Sequence, residues 1–221
     1  MGKKITIAID GPAASGKSTT AKILADKLNY IYIDTGAMYR AATLAVLDQQ
    51  IDVNDEKLVI EGVENSEIEL KTGNRTFLNG RDVSHEIRAP RINEVISIIS
   101  SYPQVRKRMV QLQQAMAKQG GVVMDGRDIG TVVLPNADLK VFMVASLNQR
   151  AERRLKELDQ RGEKISLDAV KAEIANRDKL DSSRAASPLK KASDARELDT
   201  SNLSIEDQVR IIEGWTAEII N

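Results

Sequence analysis

The sequence predicts an α/β protein whose strands run parallel and are joined by helical crossovers. Three observations carry this prediction. The alternating run Ile5-Thr6-Ile7-Ala8-Ile9 reads as a buried strand and passes through small residues into a helical pattern over 17–28. Tyr30-Ile31-Tyr32-Ile33-Asp34 then gives a second strand, and residues 37–47 a second helix with apolar Ala41, Leu44, Ala45 and Val46. A β-α-β-α alternation implies a parallel sheet. The turn between the first strand and helix, finally, fits G-x-x-x-x-G-K-[ST] at Gly11, Gly16, Lys17 and Ser18, the phosphate-binding P-loop, in the strand–turn–helix context that the motif requires.

The loop residues suit a nucleoside triphosphate. Small residues let the backbone curl so that several N–H groups face one concavity, a nest for phosphate oxygens. Gly16 permits close approach, and the helix after it aims its positive end at the anion. Lys17 adds a point charge for the β- and γ-phosphates, and the Ser18 hydroxyl is a ligand for Mg²⁺. The expected ATP-binding set is Gly11, Pro12, Ala13, Ala14, Ser15, Gly16, Lys17, Ser18 and Thr19.

Composition narrows the class. A chain of 221 residues is one large domain or a core with excursions. It buries roughly 70% of its unfolded surface, enough for a core. Lys+Arg and Asp+Glu both total 32, so bulk attraction to nucleic acid or membrane is not expected. No cysteine is present, which excludes disulfides and thiolate metal sites. No apolar run reaches the ~18 residues of a membrane span. Lys3 and Lys4 run straight into a strand, so no signal peptide is expected, and the chain reads as soluble and cytoplasmic. Zero net charge makes a monomer the expectation.

The rest follows in order. Residues 48–92 are dense in Asp, Asn, Glu and Gly and break the βα rhythm. Glu67-Ile68-Glu69-Leu70 and Arg75-Thr76-Phe77-Leu78 alternate in period two around Thr72-Gly73-Asn74, a β-hairpin in an inserted lobe. Helices resume at 93–101 and 104–118. Val122-Val123-Met124-Asp125 is a third core strand, followed by Gly126-Arg127-Asp128; residues 139–144 are a fourth. A helix over 148–158 carries Arg150, Arg153 and Arg154, one of which is expected to reach ATP. A polar loop over 159–166 leads to a helix over 167–178, then a polar, mobile stretch over 179–184. Residues 197–200 form a last strand. Ser204, with Asp207, caps a final helix whose apolar stripe is Ile205, Val209, Ile212, Trp215 and Ile219, with Trp215 expected in the core.

Further residues are weighed against blander roles. Asp125 ends an apolar strand like a Walker-B carboxylate; assisting Mg²⁺ through water and fixing the Gly126-Arg127 turn both stay open. Gly80-Arg81-Asp82 repeats Gly126-Arg127-Asp128, but only the second follows a core strand, so the first reads as a turn. His85, the one histidine, has no carboxylate or histidine at useful spacing. No N-K-x-D guanine motif is present, which argues against a GTP switch. A small-molecule kinase is favoured over a nucleotide-dependent regulatory protein.

Asp34-Thr35-Gly36-Ala37-Met38-Tyr39-Arg40, Asp125-Gly126-Arg127-Asp128-Ile129-Gly130-Thr131 and residues 185–188 follow the P-loop in order. Together these motifs resemble the bacterial cytidylate kinases over essentially the whole chain. Thr35 stands where some members have serine and keeps the hydroxyl. The resemblance implies a three-layer P-loop fold with a five-stranded parallel sheet, an inserted acceptor-binding lobe and a short helical lid. It implies a core of about 1–34, 104–148 and 185–221, a lobe of about 35–103 with the hairpin near 67–78, and a lid of about 149–184. The implied reaction is transfer of the ATP γ-phosphoryl group to CMP or dCMP with Mg²⁺. Thr35 and Arg40 would contact the acceptor phosphate or nucleoside. Ser97, Arg106 and Asp128 would face the cytosine, with Arg127 near the acceptor. Arg177, Asp181 and Arg184 would come from the lid side, Asp181 at the sugar hydroxyls. Lys17, Arg127 and Arg184 would be catalytic. A carboxylate suits the N4 amino group of cytosine and opposes the carbonyl that uracil puts there. A kinase for UMP or another acceptor is the alternative that Ser97, Arg106 and Asp128 discriminate against.

Overall fold

The strand that leads into the P-loop lies at the centre of the sheet. A computed structural model describes residues 4–71, 73–160 and 162–220. Strand β1 (Thr6–Asp10) is followed by α1 (Lys17–Leu28), β2 (Ile31–Asp34) and α2 (Thr35–Asp48). Later come β6 (Val122–Gly126), β7 (Leu139–Val144), α6 (Leu147–Asp159), α7 (Leu167–Ser183), β8 (Arg196–Asp199) and α8 (Ile205–Ile220). The five-stranded sheet runs β2-β6-β1-β7-β8. Parallel registers pair Ile7 with Val123 and Leu139, and Met143 with Leu198. Ile5, Ile7 and Ile9 are fully buried and pack with Leu24, Val141, Met143, Val209 and Ile212, since a central strand with helices over it must be apolar on both faces.

The chain divides into two compact units, Met1–Tyr32 with Gly120–Asn221, and Ile33–Gln119. The second holds α2, α3 (Glu56–Glu64), the antiparallel strands β3 (Ile68–Lys71), β4 (Arg75–Leu78) and β5 (Arg81–Asp82), a 3-10 turn (Glu86–Arg88), α4 (Pro90–Ile99) and α5 (Pro103–Ala117). The hairpin pairs Ile68 with Leu78 and Lys71 with Arg75. Its turn residue Thr72 lies outside the described residues, as do Lys3 and, in the polar loop before α7, Arg161. Helix α5, which the sequence division assigns to the core, packs on α2 and α3 in this second unit.

Three expectations need correction. Residues 56–64 form a helix because the Asp55 carboxylate caps it, accepting from Leu58 N at 3.1 Å, while Val59 and Val63 share one buried face. Arg81-Asp82 is a short strand and not a turn; Arg81 also pairs with Asp48 and Glu86, each at 2.7 Å, which gives it a structural task. The stretch after 178 is not mobile coil: α7 continues to Ser183, with Asp181 buried on the face of Val170 and Ile174. Trp215 packs at the rim of the core, half-buried, with the Arg196 guanidinium 5.5 Å from its ring centre.

Candidate active site

The P-loop is shaped by close packing at its start. A Cβ on Gly11 would come within 2.3 Å of the Met143 carbonyl oxygen, so no side chain fits there. Gly16 has φ of 92°, and the helix begins immediately after it. Ser15 is fully buried, and its Oγ has no hydrogen-bond partner among the described residues. That leaves a buried donor inside the loop for a ligand oxygen.

Lys17 is buried and donates from Nζ to the Pro12 carbonyl at 3.1 Å. Burial, reinforced by Arg127 and Arg177, pushes its ammonium down to about 7, against the pull of Asp125 and Asp181. Arg177 is likewise lowered by burial and by Arg127, and its Nε has no hydrogen-bond partner among the described residues. Asp181 joins the cations: it accepts from Arg127 Nε at 2.8 Å and from Arg184 at 3.3 Å. Burial alone would raise Asp181, but Arg127 above all holds it below the usual carboxylate range. Crowded, partly desolvated cations that outnumber their carboxylate partners are unfavourable together, and a polyphosphate supplies further negative charge.

Two carboxylates stand at the C-terminal ends of the adjacent strands β1 and β6. Asp125 accepts from the Ser18 hydroxyl at 2.6 Å and from the Tyr32 hydroxyl at 2.8 Å. Asp10 accepts from the backbone N–H groups of Ile129 and Gly130 at 2.8 and 2.7 Å. Its burial pushes the carboxyl up to about 6, partly offset by those two N–H groups. Asp128 is buried at the start of a short π-helical turn, Ile129–Val133, and its carbonyl accepts from Val132 N and Val133 N.

The arginines of α6 divide by task. Arg150 donates to Ala13 O at 3.2 Å and to Asp178 at 2.5 Å, and Asp178 accepts from Ala13 N at 3.4 Å. Arg153 donates to Ser15 O at 3.4 Å and to Thr200 Oγ1 at 3.1 Å, and Thr200 Oγ1 donates to Ser15 O at 2.9 Å. Both arginines thus hold loop carbonyls. Arg154 pairs with Glu157 at 3.2 Å.

The second unit carries the other expected residues. Thr35 is buried at the start of α2, where the Asp34 carboxylate caps by accepting from Ala37 N at 2.8 Å. Arg40 donates to Asn93 Oδ1 at 2.6 Å. Arg106 is buried on α5, 5.3 Å from the Tyr39 ring centre, and donates to Ser100 O at 3.2 Å. Ser97 is half-buried on α4. Within the first unit the structure gathers Lys17, Ser18, Asp125, Arg127, Arg177, Asp181 and Arg184. Within the second, Arg40 and Arg106 are each held by partners of their own.

Asp10 and Asp178 went unselected in the sequence. Asp10 carried the signal used for Asp125, a carboxylate ending an apolar strand. Asp178 carried none, because its partners Ala13 and Arg150 lie far away in the chain.

A parallel sheet with a P-loop after its central strand defines the P-loop α/β class. A gluconokinase from Sinorhizobium meliloti 1021 shares the overall fold, with a TM-score of 0.53 at 13% identity over 98% of this chain and 94% of that one. The chain belongs to the cytidylate kinase family, which matches residues 7–217. Cytidylate kinases of Bacillus thuringiensis (strain Al Hakam) and Bacillus anthracis (strain A0248) are each 56% identical to it over 217 residues, covering 97% of this chain and 96% of theirs.

Proposed function

We propose that this chain transfers the γ-phosphoryl group of ATP to CMP or dCMP, giving ADP and CDP or dCDP. Membership of the cytidylate kinase family across residues 7–217 carries the reading. An oxygen of the acceptor phosphate attacks the γ-phosphorus. The bond from that phosphorus to the β–γ bridging oxygen breaks, and its electron pair stays on the ADP phosphate. The attacking oxygen is already anionic, so no general base is required and positioning with charge neutralisation supplies the rate.

In this reading residues 11–19 hold the ATP phosphates, and Lys17 neutralises charge at the β- and γ-oxygens. Arg127 and Arg184 offer further cations, oriented by Asp181, and Arg177 adds another. Thr35 and Arg40 take the acceptor phosphate or nucleoside. Asp128 accepts from the cytosine N4 amino group, Arg106 and Ser97 serve the same base, and Asp181 serves the sugar hydroxyls. The planar fork of arginine pairs with phosphate oxygens two at a time.

The oxygen pair of Ser18 and Asp125, 2.6 Å apart, suits Mg²⁺. No group of three or more His, Asp or Glu side chains among the described residues offers a metal site of its own, so the ion would share its ligands with the nucleotide. Ser18, with Asp125 behind it, would hold Mg²⁺ there, and the ion would neutralise charge on the triphosphate.

No helix among the described residues is long and apolar enough to cross a membrane. We place the enzyme in the cytoplasm as a monomer; sedimentation at a dimer mass would overturn the monomer. The decisive assay follows ADP formation from ATP and Mg²⁺ against a panel of nucleoside monophosphates. Turnover is expected with CMP and dCMP, and its absence with both would sink the assignment.

A further inference from the structure

The peptide unit that joins Asp128 to Ile129 is pinned at both ends. Its carbonyl, on Asp128, accepts from Val132 N at 2.9 Å and from Val133 N at 3.2 Å. Its N–H, on Ile129, donates to Asp10 Oδ1 at 2.8 Å, and the next N–H, on Gly130, donates to Asp10 Oδ2 at 2.7 Å. One buried carboxylate, 5% exposed, therefore satisfies both N–H groups that follow Asp128. Asp10 is the last residue of β1, and β1 pairs with β6 in a register that sets Asp10 beside Gly126. The clamp is thus anchored at the end of the central strand of the sheet. The turn also lies against Lys140, whose Nζ is tied to Pro135 O at 2.6 Å and to the Asp194 carboxylate at 2.8 Å.

We infer that Asp10 is a positioning residue for acceptor specificity: by holding Ile129 N and Gly130 N it fixes the direction of the Asp128 carboxylate that reads the pyrimidine base. The inference rests on the assignment of Asp128 to the cytosine N4 amino group. A buried polar pair discriminates between cytosine and uracil only while its geometry is held, because a carboxylate free to turn away from the uracil O4 no longer rejects it. Only a carboxylate offers two acceptor oxygens to two N–H groups. In Asp10→Asn one N–H faces an amide NH₂ instead, and the turn must shift.

A second substitution strains the same turn at Gly130. A Cβ on Gly130 would sit 3.1 Å from Lys140 Cδ and 3.4 Å from Asp10 Oδ2. The Lys140 stem is anchored at its end, so in Gly130→Ala the turn gives way.

The test is the ratio of kcat/KM for CMP to kcat/KM for UMP, measured with saturating ATP and Mg²⁺ in the full-length wild type and in Asp10→Asn, Gly130→Ala and Asp128→Asn. A ratio taken on one preparation cancels losses of folded protein and any change on the ATP side. The ratio is expected to fall at least tenfold in Asp10→Asn and in Gly130→Ala, in the same direction as in Asp128→Asn. A ratio within twofold of wild type in Asp10→Asn, with a lowered ratio in Asp128→Asn, overturns the inference and leaves the role of Asp128 intact. An unchanged ratio in Asp128→Asn overturns both. Should Asp10→Asn give no soluble protein, Gly130→Ala decides by the same criterion.

Discussion

Lys17 is a cation set among cations, and this gives it a mark in solution. Its pKa falls from 10.5 to about 7 on folding. Between those values the unfolded chain binds more protons than the folded one, so this group makes the ligand-free protein more stable as pH rises from 7 towards 10.5. Wild type should therefore gain stability over Lys17→Met across that range in denaturant titrations; a parallel pair of curves would refute it. Asp10 behaves in the opposite sense. Its pKa rises from 3.8 to about 6, so its contribution is fullest below 3.8 and is lost as pH climbs through 6. Wild type should lose stability relative to Asp10→Asn between about pH 4 and pH 6.5. Removing the Lys17 charge should also lower turnover by about a hundredfold or more, as loss of one transition-state donor does, while the circular dichroism spectrum stays unchanged. Turnover within a few-fold of wild type would exclude that role.

At the scale of elements, the helices α6 and α7 support the loop through Ala13 and Ser15. Arg150→Ala should raise the KM for ATP several-fold, because it frees Ala13 O and leaves Asp178 without its 2.5 Å partner. Equal KM values would mean that the loop holds its shape unaided. Ser166 caps α7 by accepting from Ala169 N at 3.2 Å, and Ser166→Ala should cost about 1 kcal/mol in thermal unfolding. Such elements differ in how plainly the sequence announces them. α1 was legible to the residue, since the P-loop fixes its start and its helical pattern stops at Leu28, where the structure has Asn29 left-handed. α3 was hidden, because its evidence is one cap and two valines whose burial depends on neighbours along the fold. The last turn of α7 was hidden for the same reason: Lys179 to Ser183 look solvated until Arg127 is seen to bind Asp181. The P-loop itself was readable because its parts are contiguous. The pairings of Asp178 with Ala13 and of Asp10 with Gly130 were not, because each spans more than a hundred residues.

For the whole molecule, ligand linkage gives a direct check. A non-hydrolysable ATP analogue with Mg²⁺ at a hundred times its Kd should stabilise the protein by about 2.7 kcal/mol, and Lys17→Ala should lose most of that shift. An equal shift in both proteins would place the nucleotide elsewhere. Truncating Ile212, fully buried under the sheet, should cost about 2–5 kcal/mol whether or not ligand is present.

The central place of β1 also bears on how the protein is made. Thr6 pairs with Val122 on one side, and Ile7 with Leu139 on the other, so the first strand synthesised receives its neighbours only after more than a hundred further residues. At about 5–20 residues per second, an apolar strand with two bare edges waits several seconds or longer on the ribosome. Residues 33–119 are complete before that wait ends and have their own helices and antiparallel strands to fold. The segment that interrupts the sheet in sequence is therefore the one able to fold first, and the strand that carries the P-loop is among the last to be sealed.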